Sequence, residues 1–260
     1  MFPFFRVFGR VIGLYGICVV LGVFLAGFLA IRKCKQRGLP SEDIFILGAF
    51  AIGFAIAFGN VLYLIVTYSA DEIWQMIKAF DFSFVGSGIV FYGGLIGGMI
   101  GAFLGAHIAK CDKSALLRVV VPYVPLGHAI GRIGCLMAGC CYGMAYSGPF
   151  AVYYPRSLLG VPADRGCFPV QPLEAILNVG IAALLLNLEK KEKDGYVVLF
   201  FYLGMYSICR FLLEFLRGDL HRGIYSGISL SQWISLGLLV VSLVGLWTRK
   251  KKNANNKETA

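Results

Sequence analysis

Two sets of polar residues sit at helical spacing inside otherwise apolar sequence. His128, Arg132 and Cys135 stand at i, i+4 and i+7, and so do Arg210, Glu214 and Arg217. In a helix this spacing puts each trio on one face. A charged group inside a bilayer costs at least about 2.5–3.5 kcal/mol, so each of these needs a partner or a task. For Arg210, Glu214 and Arg217 the bland account is an intrahelical salt bridge at the membrane edge, and for Arg132 a carboxylate on another span. The only carboxylates within the apolar runs are Glu174 and Glu214. Two acids against three arginines leave surplus positive charge, the condition for holding an anion. A guanidinium fork matches phosphate in a bidentate way. His128 reads first as a hydrogen-bonded core histidine and only second as a proton acceptor.

The chain that must position these groups has 260 residues, 58% hydrophobic and 15% charged, with mean hydropathy +0.75. Water-soluble domains carry about 25% charged residues. The apolar residues form runs of the roughly 20 residues that a membrane-crossing helix needs. Seven such runs are expected, at 11–31, 44–67, 86–109, 119–138, 172–188, 196–216 and 227–247, and together they predict an all-α integral membrane protein. The fourth is the most polar, with Pro122, Pro125, His128 and Arg132, and other helices must shelter it. The runs do not alternate as β-barrel strands do. The first looks like a signal peptide, but it has no small-residue cleavage site and six more spans follow. The expected organisation is a membrane domain over 1–248 and a basic, polar tail over 249–260.

Lys and Arg set the orientation. Loops on one side of the seven runs, with the tail, collect 15 basic residues and those on the other side 7, leaving Arg132 and Arg210 inside spans. The amino terminus is therefore expected outside and the carboxyl terminus in the cytoplasm. The net charge of +10 then matches an anionic inner leaflet and needs no nucleic acid. The segment around Ile73, Trp74, Ile77 and Phe80 suits a short helix lying in the outer interface. Glycines from Gly93 to Gly101 read as close helix packing rather than a nucleotide loop.

With this orientation Arg132, Arg210, Glu214 and Arg217 fall in or near the outer half. Tyr15, Tyr92, Gln171 and Glu174 fall near the outer ends of their own spans. The polar residues thus gather at one level, below the outer headgroups, whereas a transporter site belongs nearer the midplane. The residues themselves point to a seat for an anionic lipid headgroup. Cys140, Cys141 and Cys167 lie at or beyond the outer end of the fourth span, where a disulfide is the simplest expectation. Zinc is not expected, since neither a C-x-x-C pair nor suitably spaced histidines occur. Cys18, Cys34, Cys111 and Cys209 look incidental.

The run Gly131-Arg-Ile-Gly-Cys-Leu-Met-Ala-Gly-Cys-Cys-Tyr-Gly143 resembles the signature of the prolipoprotein diacylglyceryl transferase family, in a divergent Gly-Cys-Cys-Tyr-Gly form. Leu14-Tyr-Gly16, Tyr92-Gly-Gly-Leu-Ile-Gly97, Pro169-Val-Gln-Pro-Leu-Glu174, Arg210-Phe-Leu-Leu-Glu-Phe-Leu-Arg217 and Ser231-Gln-Trp-Ile-Ser235 add matches in order along the chain. The resemblance implies seven spans in a bacterial cytoplasmic membrane. It also implies transfer of a diacylglyceryl group from phosphatidylglycerol to the lipobox cysteine of a preprolipoprotein signal peptide, without metal or soluble cofactor. On this resemblance Arg132 and Arg210 hold phosphate, Glu214 orients Arg210, Tyr15 meets the headgroup and Gly143 permits close backbone approach. Gln171, Glu174 and Arg217 join the substrate-binding set. The family often has histidine where this chain has Tyr92, and asparagine, asparagine and glutamate where it has Cys135, Ala138 and Cys140. Tyrosine, with an ordinary pKa near 10, is a poor base at neutral pH, so His128 is the substitute considered beside Tyr92.

Two other classes remain. A lipid or lipoprotein carrier would keep the anion seat without the chemistry. A membrane thiol oxidoreductase would use Cys140, Cys141 and Cys167, although it lacks C-x-x-C. A CDP-alcohol transferase would need an acidic metal-binding cluster that the sequence does not have.

Overall fold

The computed structural model describes residues 4–7, 10–79, 91–154, 165–218, 224–225 and 227–258. Its secondary structure is dominated by helices: α1 (Leu14–Gln36), α2 (Glu42–Thr67), α3 (Ala70–Lys78), α4 (Phe91–Ile108), α5 (Lys113–Val120), α6 (Val124–Ala138), α7 (Val170–Lys191), α8 (Gly195–Leu213) and α9 (Leu230–Glu258). A 3-10 turn, Val121–Tyr123, joins α5 to α6, and another, Glu214–Leu216, ends α8. Among the described residues six helical segments are long and apolar enough to cross a bilayer: Leu14–Gln36, Glu42–Thr67, Lys113–Ala138, Val170–Lys191, Gly195–Leu216 and Leu230–Asn253. The fold is an all-α, multi-span membrane fold. The third expected span falls on α4, whose apolar stretch, Gly93–Ile108, is shorter. Residues 86–90 of that expected span lie outside the described residues.

Two short hairpins were not expected from the sequence. β1 (Phe4–Val7) pairs antiparallel with β2 (Arg10–Gly13), Val7 opposite Arg10. β3 (Ile224–Tyr225) pairs with β4 (Ile228–Ser229). The first span therefore begins at Leu14 rather than residue 11, because Val11 and Ile12 are spent on a strand. Hydropathy reads such β-branched residues as membrane when their backbone bonds are made across a hairpin.

The chain forms two compact units, Met1–Arg32 with Ser114–Ala260, and Lys33–Lys113. In the second unit α4 packs on α2 through glycines one turn apart. A side chain at Gly93, Gly97 or Gly101 would collide with the carbonyl oxygens of Phe58, Phe54 and Phe50 respectively. Lipid tails give helices no hydrophobic reason to pair, so this closeness is what holds them together. Gly97→Val is expected to cost about 3 kcal/mol by overpacking, read as a lower melting temperature in detergent.

α3 starts with a capping box in which the Ser69 hydroxyl accepts from the Glu72 amide and the Glu72 carboxylate accepts from the Ser69 amide, 2.8 Å away. Ile77 and Trp74 are exposed, with the Lys78 ammonium 5.3 Å from the Trp74 ring. Phe80, placed on the same expected helix, lies outside the described residues. The amide and hydroxyl of Ser69 hold the Glu72 carboxyl below its ordinary value. Because the folded value is lowered, the cap's contribution is complete above the ordinary carboxylate range and is lost as pH falls through the lowered value. Hydrogen exchange of the Ala70–Ile73 amides should accelerate there, and it should be faster at every pH in Ser69→Ala.

In the first unit Val121, Ile181, Leu185 and Val198 form a buried cluster, joined by Leu117, Leu188, Tyr202 and Tyr206. α1 meets α6 where Gly22 faces Gly127, and lower down Gly134 faces Cys18 and Tyr15. α8 meets α9 through small polar residues: the Ser242 hydroxyl donates to the Phe200 carbonyl at 2.7 Å, beside Gly204. Ser229 and Gln232 exchange backbone and side-chain bonds at the start of α9, a second capping box. Helix continues through residues 249–258, so that part of the expected polar tail extends α9.

Charges also gather at the end of α7 away from Glu174. Arg118 donates to the Glu189 carbonyl from Nε at 3.0 Å and Nη2 at 2.7 Å, and Arg249 lies 3.5 Å from Asp194 and over the Tyr196 ring. Glu174 and Glu189 are fifteen residues apart on α7, about 22 Å at 1.5 Å per residue. The helical core between them is the bulk of a bilayer's thickness.

Candidate functional site

The level around Glu174 brings most of the expected residues together. α6 carries His128 and Arg132, the first turns of α7 carry Gln171 and Glu174, and the end of α8 carries Arg210, Glu214 and Arg217. Pro122 and Pro125 lie in the first turns of their helical segments, where a missing amide does no harm, and so leave His128 and Arg132 on regular helix.

Arg132 pairs with Glu174, Nη2 to Oε1 at 2.9 Å, and His128 Nε2 is 3.7 Å from the same oxygen. Glu174 is 3% exposed and so has no water to take Arg132's place. On α8, Arg210 Nη2 lies 2.8 Å from Glu214 Oε2, and Arg217 Nη1 lies 4.0 Å from it. The Ser231 hydroxyl of α9 accepts from Arg210 Nη2 at 2.9 Å and donates to Glu214 Oε2 at 3.0 Å, closing a three-membered network. The bland account of both arginines is therefore correct in part, since each has its carboxylate. It does not use up their donors. Arg132 Nε and Arg210 Nη1 are buried and, among the described residues, have no hydrogen-bond partner. A buried donor left unmade costs about 1–3 kcal/mol, more when charged. The two arginines share neighbours: the His128 and Tyr206 rings are 5.3 Å apart, linking the face of α6 to that of α8. Tyr206 escaped the sequence reading, although it stands four residues before Arg210 on the same face.

Tyr15 is partly exposed on α1, packed beside Gly134 of α6. The side chain of Tyr92 lies outside the described residues; its backbone is in the first turn of α4. Gln171 is 1% exposed and structural in its contacts: its Nε2 donates to the Cys140 carbonyl at 2.8 Å, and its amide faces the Tyr154 hydroxyl. Burial pushes Tyr154 up to about 12, so it stays protonated. Gly143 has its close approach within the chain. A side chain there would strike Phe168, because Met144 exchanges backbone bonds with Leu216 and Phe168 and ties the loop after α6 to the ends of α7 and α8.

All eight cysteines are free thiols, which corrects the expected disulfide among Cys140, Cys141 and Cys167. Cys167 is fully buried against Tyr142 and Tyr154, held by backbone bonds to Val152. Instead Cys135, Cys140 and Cys141 converge, their sulfurs all within 4.8 Å of one another. Gly139 ends α6 with φ 73°, and Cys141 follows at φ 54°, two left-handed residues that fold the chain back over the last turn. Arg132 Nη1 is 3.9 Å from Cys135 Sγ. Hydrogen bonds with Cys135 and Cys140, then the charges of Arg217 and Arg132, pull the Cys141 thiol below its ordinary value.

The family model described as prolipoprotein diacylglyceryl transferase matches residues 3–248. The chain is 33% identical over 235 residues to the phosphatidylglycerol–prolipoprotein diacylglyceryl transferase 2 of Clostridium perfringens, covering 90% of each. It is 34% identical over 240 residues to the phosphatidylglycerol–prolipoprotein diacylglyceryl transferase of Clostridium tetani, covering 92% of this chain and 94% of that one. A Bacillus cereus relative of the same name is 29% identical, covering 94% and 90%. With most of its length matched by the family model, the chain belongs to the prolipoprotein diacylglyceryl transferase family.

Proposed function

We infer that this chain catalyses the reaction for which its relatives are named, moving a diacylglyceryl group from phosphatidylglycerol to a prolipoprotein, as a multi-pass protein of the bacterial cytoplasmic membrane. The acceptor is the lipobox cysteine of the preprolipoprotein signal peptide. Its thiolate forms an S–C bond to the glycerol carbon that bears the phosphodiester. The C–O bond breaks, and its electron pair stays on the phosphate oxygen of the departing glycerol phosphate. Charge therefore grows on phosphate as the reaction proceeds, and fixed donors aimed at it are the main catalytic need.

The observation that carries this reading is the pair of buried, unpartnered guanidinium nitrogens, Arg132 Nε on α6 and Arg210 Nη1 on α8. A phosphate has the oxygens to satisfy both. Glu174 and Glu214 fix the forks from behind, Ser231 steadies Arg210, and Arg217 adds charge at the edge. Tyr15, beside α6, meets the headgroup, with Gln171 and Gly143 holding the loop that borders the seat.

The seat opens on the outer leaflet, with the amino terminus outside and the carboxyl terminus in the cytoplasm. Support comes from the excess of Lys and Arg in alternate loops and from the second polar level at Arg118, Glu189 and Arg249. α4, apolar over Gly93–Ile108, is the seventh crossing. Residues 1–248 form the membrane domain, and the basic end of α9 lies against the anionic inner leaflet.

His128 takes the thiol proton, being the histidine on the Arg132 face, with Tyr92 the other candidate. In a lipoprotein-labelling assay His128→Ala should lose about 10²–10⁴-fold, the usual worth of a positioned base, while Tyr92→Phe keeps most of its rate. Full activity of His128→Ala removes this assignment. The reaction as a whole is tested by restoring growth of a strain depleted of its own transferase. Purified chain with phosphatidylglycerol and a lipobox peptide should yield the thioether and glycerol phosphate in equal amounts. Lipid binding without turnover would make the chain a carrier.

A further inference from the structure

We propose that Cys135, Cys140 and Cys141 form a three-thiolate site for one thiophilic divalent cation of the zinc class. Their sulfurs lie within 4.8 Å of one another, although the spacing C-x4-C-C resembles no common zinc pattern. Zinc–sulfur bonds of about 2.3 Å at tetrahedral angles put sulfurs about 3.8 Å apart, so the trio has to close by no more than about an ångström. Three soft ligands without an oxygen donor select zinc-class or cuprous ions over magnesium or calcium.

The backbone is built for the convergence. After the left-handed Gly139, Cys141 takes φ 54°, a conformation that costs a non-glycine residue energy and that persists where surroundings enforce it. The Cys140 amide donates to the Cys135 carbonyl at 3.1 Å, pinning the return. Three thiolates and a divalent ion carry one net negative charge, and the Arg132 guanidinium 3.9 Å from Cys135 Sγ offsets it.

Three protein ligands leave one position of a tetrahedron open, as in catalytic rather than structural zinc sites. This part rests on the transfer reading: the acceptor of that reaction is itself a thiol. A divalent ion held by Cys135, Cys140 and Cys141 would offer that fourth position to the acceptor thiol and would supply Lewis-acid acidification of it. His128, the base of the transfer reading, would then receive the proton from an already acidified thiol, and the S–C bond would form as the C–O bond of the phospholipid breaks and its electron pair leaves with the phosphate.

The test uses the full chain in detergent, stripped with a chelator under reducing conditions and titrated with Co²⁺. One cobalt per chain is expected, with sulfur-to-cobalt charge-transfer absorption that Zn²⁺ abolishes. Cys135→Ser, Cys140→Ser and Cys141→Ser should each weaken binding by tenfold or more, while Cys167→Ser and Cys111→Ser leave the band unchanged. Absence of the band, its survival in the triple variant, or a disulfide within the trio of the purified chain overturns the site. Chelation should also lower transfer, with recovery on adding Zn²⁺. Transfer unaffected by stripping overturns the role of the fourth position. Cobalt bound by a chain that never transfers a diacylglyceryl group counts against the transfer reading and leaves the site standing.

Discussion

Replacing Arg132 or Arg210 by lysine should lower the transfer rate by about 10²–10³-fold each, the usual loss when one preorganised donor to developing negative charge is removed. Lysine is the informative choice because it keeps a positive charge beside Glu174 or Glu214 and loses the fork. Alanine would leave a buried carboxylate without its partner, and the fold would suffer along with the chemistry. If, as proposed, both donors serve one phosphate, the double variant should lose less than the product of the two single losses. Melting temperature in detergent should change little in the lysine variants. Unchanged transfer in either one would separate that arginine from the reaction.

The second large effect belongs to Glu214. It is 3% exposed and stands between Arg210 and Arg217, with Ser231 bonded to the same carboxylate oxygen that meets Arg210. In Glu214→Ala the buried Arg210 guanidinium loses the carboxylate that lies 2.8 Å from it. Breaking a buried pair in this way costs about 3–5 kcal/mol. The variant should melt markedly lower and transfer almost nothing. Glu214→Gln keeps the volume and one acceptor, so it should retain more of the fold than of the activity. Ser231→Ala removes two bonds of the network, one to Arg210 and one to Glu214, and should cost about 1–3 kcal/mol. Comparable melting for the wild type and Glu214→Ala would mean that solvent reaches this network, against the burial on which the site depends.

The chemistry was legible in the sequence where it follows helical spacing. His128 with Arg132, and Arg210 with Glu214 and Arg217, share faces because helices repeat every 3.6 residues, and charge in an apolar run announces itself. Glu174 was visible as one of two acids within spans, but its choice of Arg132 depends on how α6 and α7 pack, which no local pattern fixes. Tyr206 was lost among the aromatic residues of an apolar run, since nothing in hydropathy separates a lipid-facing tyrosine from one facing another helix. The thiol trio was hidden for a different reason. It depends on a left-handed φ at Cys141, which spacing does not reveal.

The membrane class was legible for the same thermodynamic reason that makes long apolar runs rare in water. Ends of spans were less so. Val11 and Ile12 count as apolar whether they enter a helix or a hairpin, and the short stretch Gly93–Ile108 owes its packing to glycines, which add little to hydropathy. At Gly143 the close approach seen in the structure is to Phe168. Its missing side chain makes room for Phe168, and so secures the loop over the site.

In the proposed site, guanidinium groups from α6 and α8 grip one phosphate together. Native mass spectrometry of the purified chain with added phosphatidylglycerol measures this most directly. The wild type should retain one phosphatidylglycerol through detergent removal, and the Arg132→Lys, Arg210→Lys double variant, which keeps a positive charge beside Glu174 and Glu214 but loses both forks, should retain far less. Equal retention by the two proteins would contradict the account, because the lipid would then be held by something other than these two arginines.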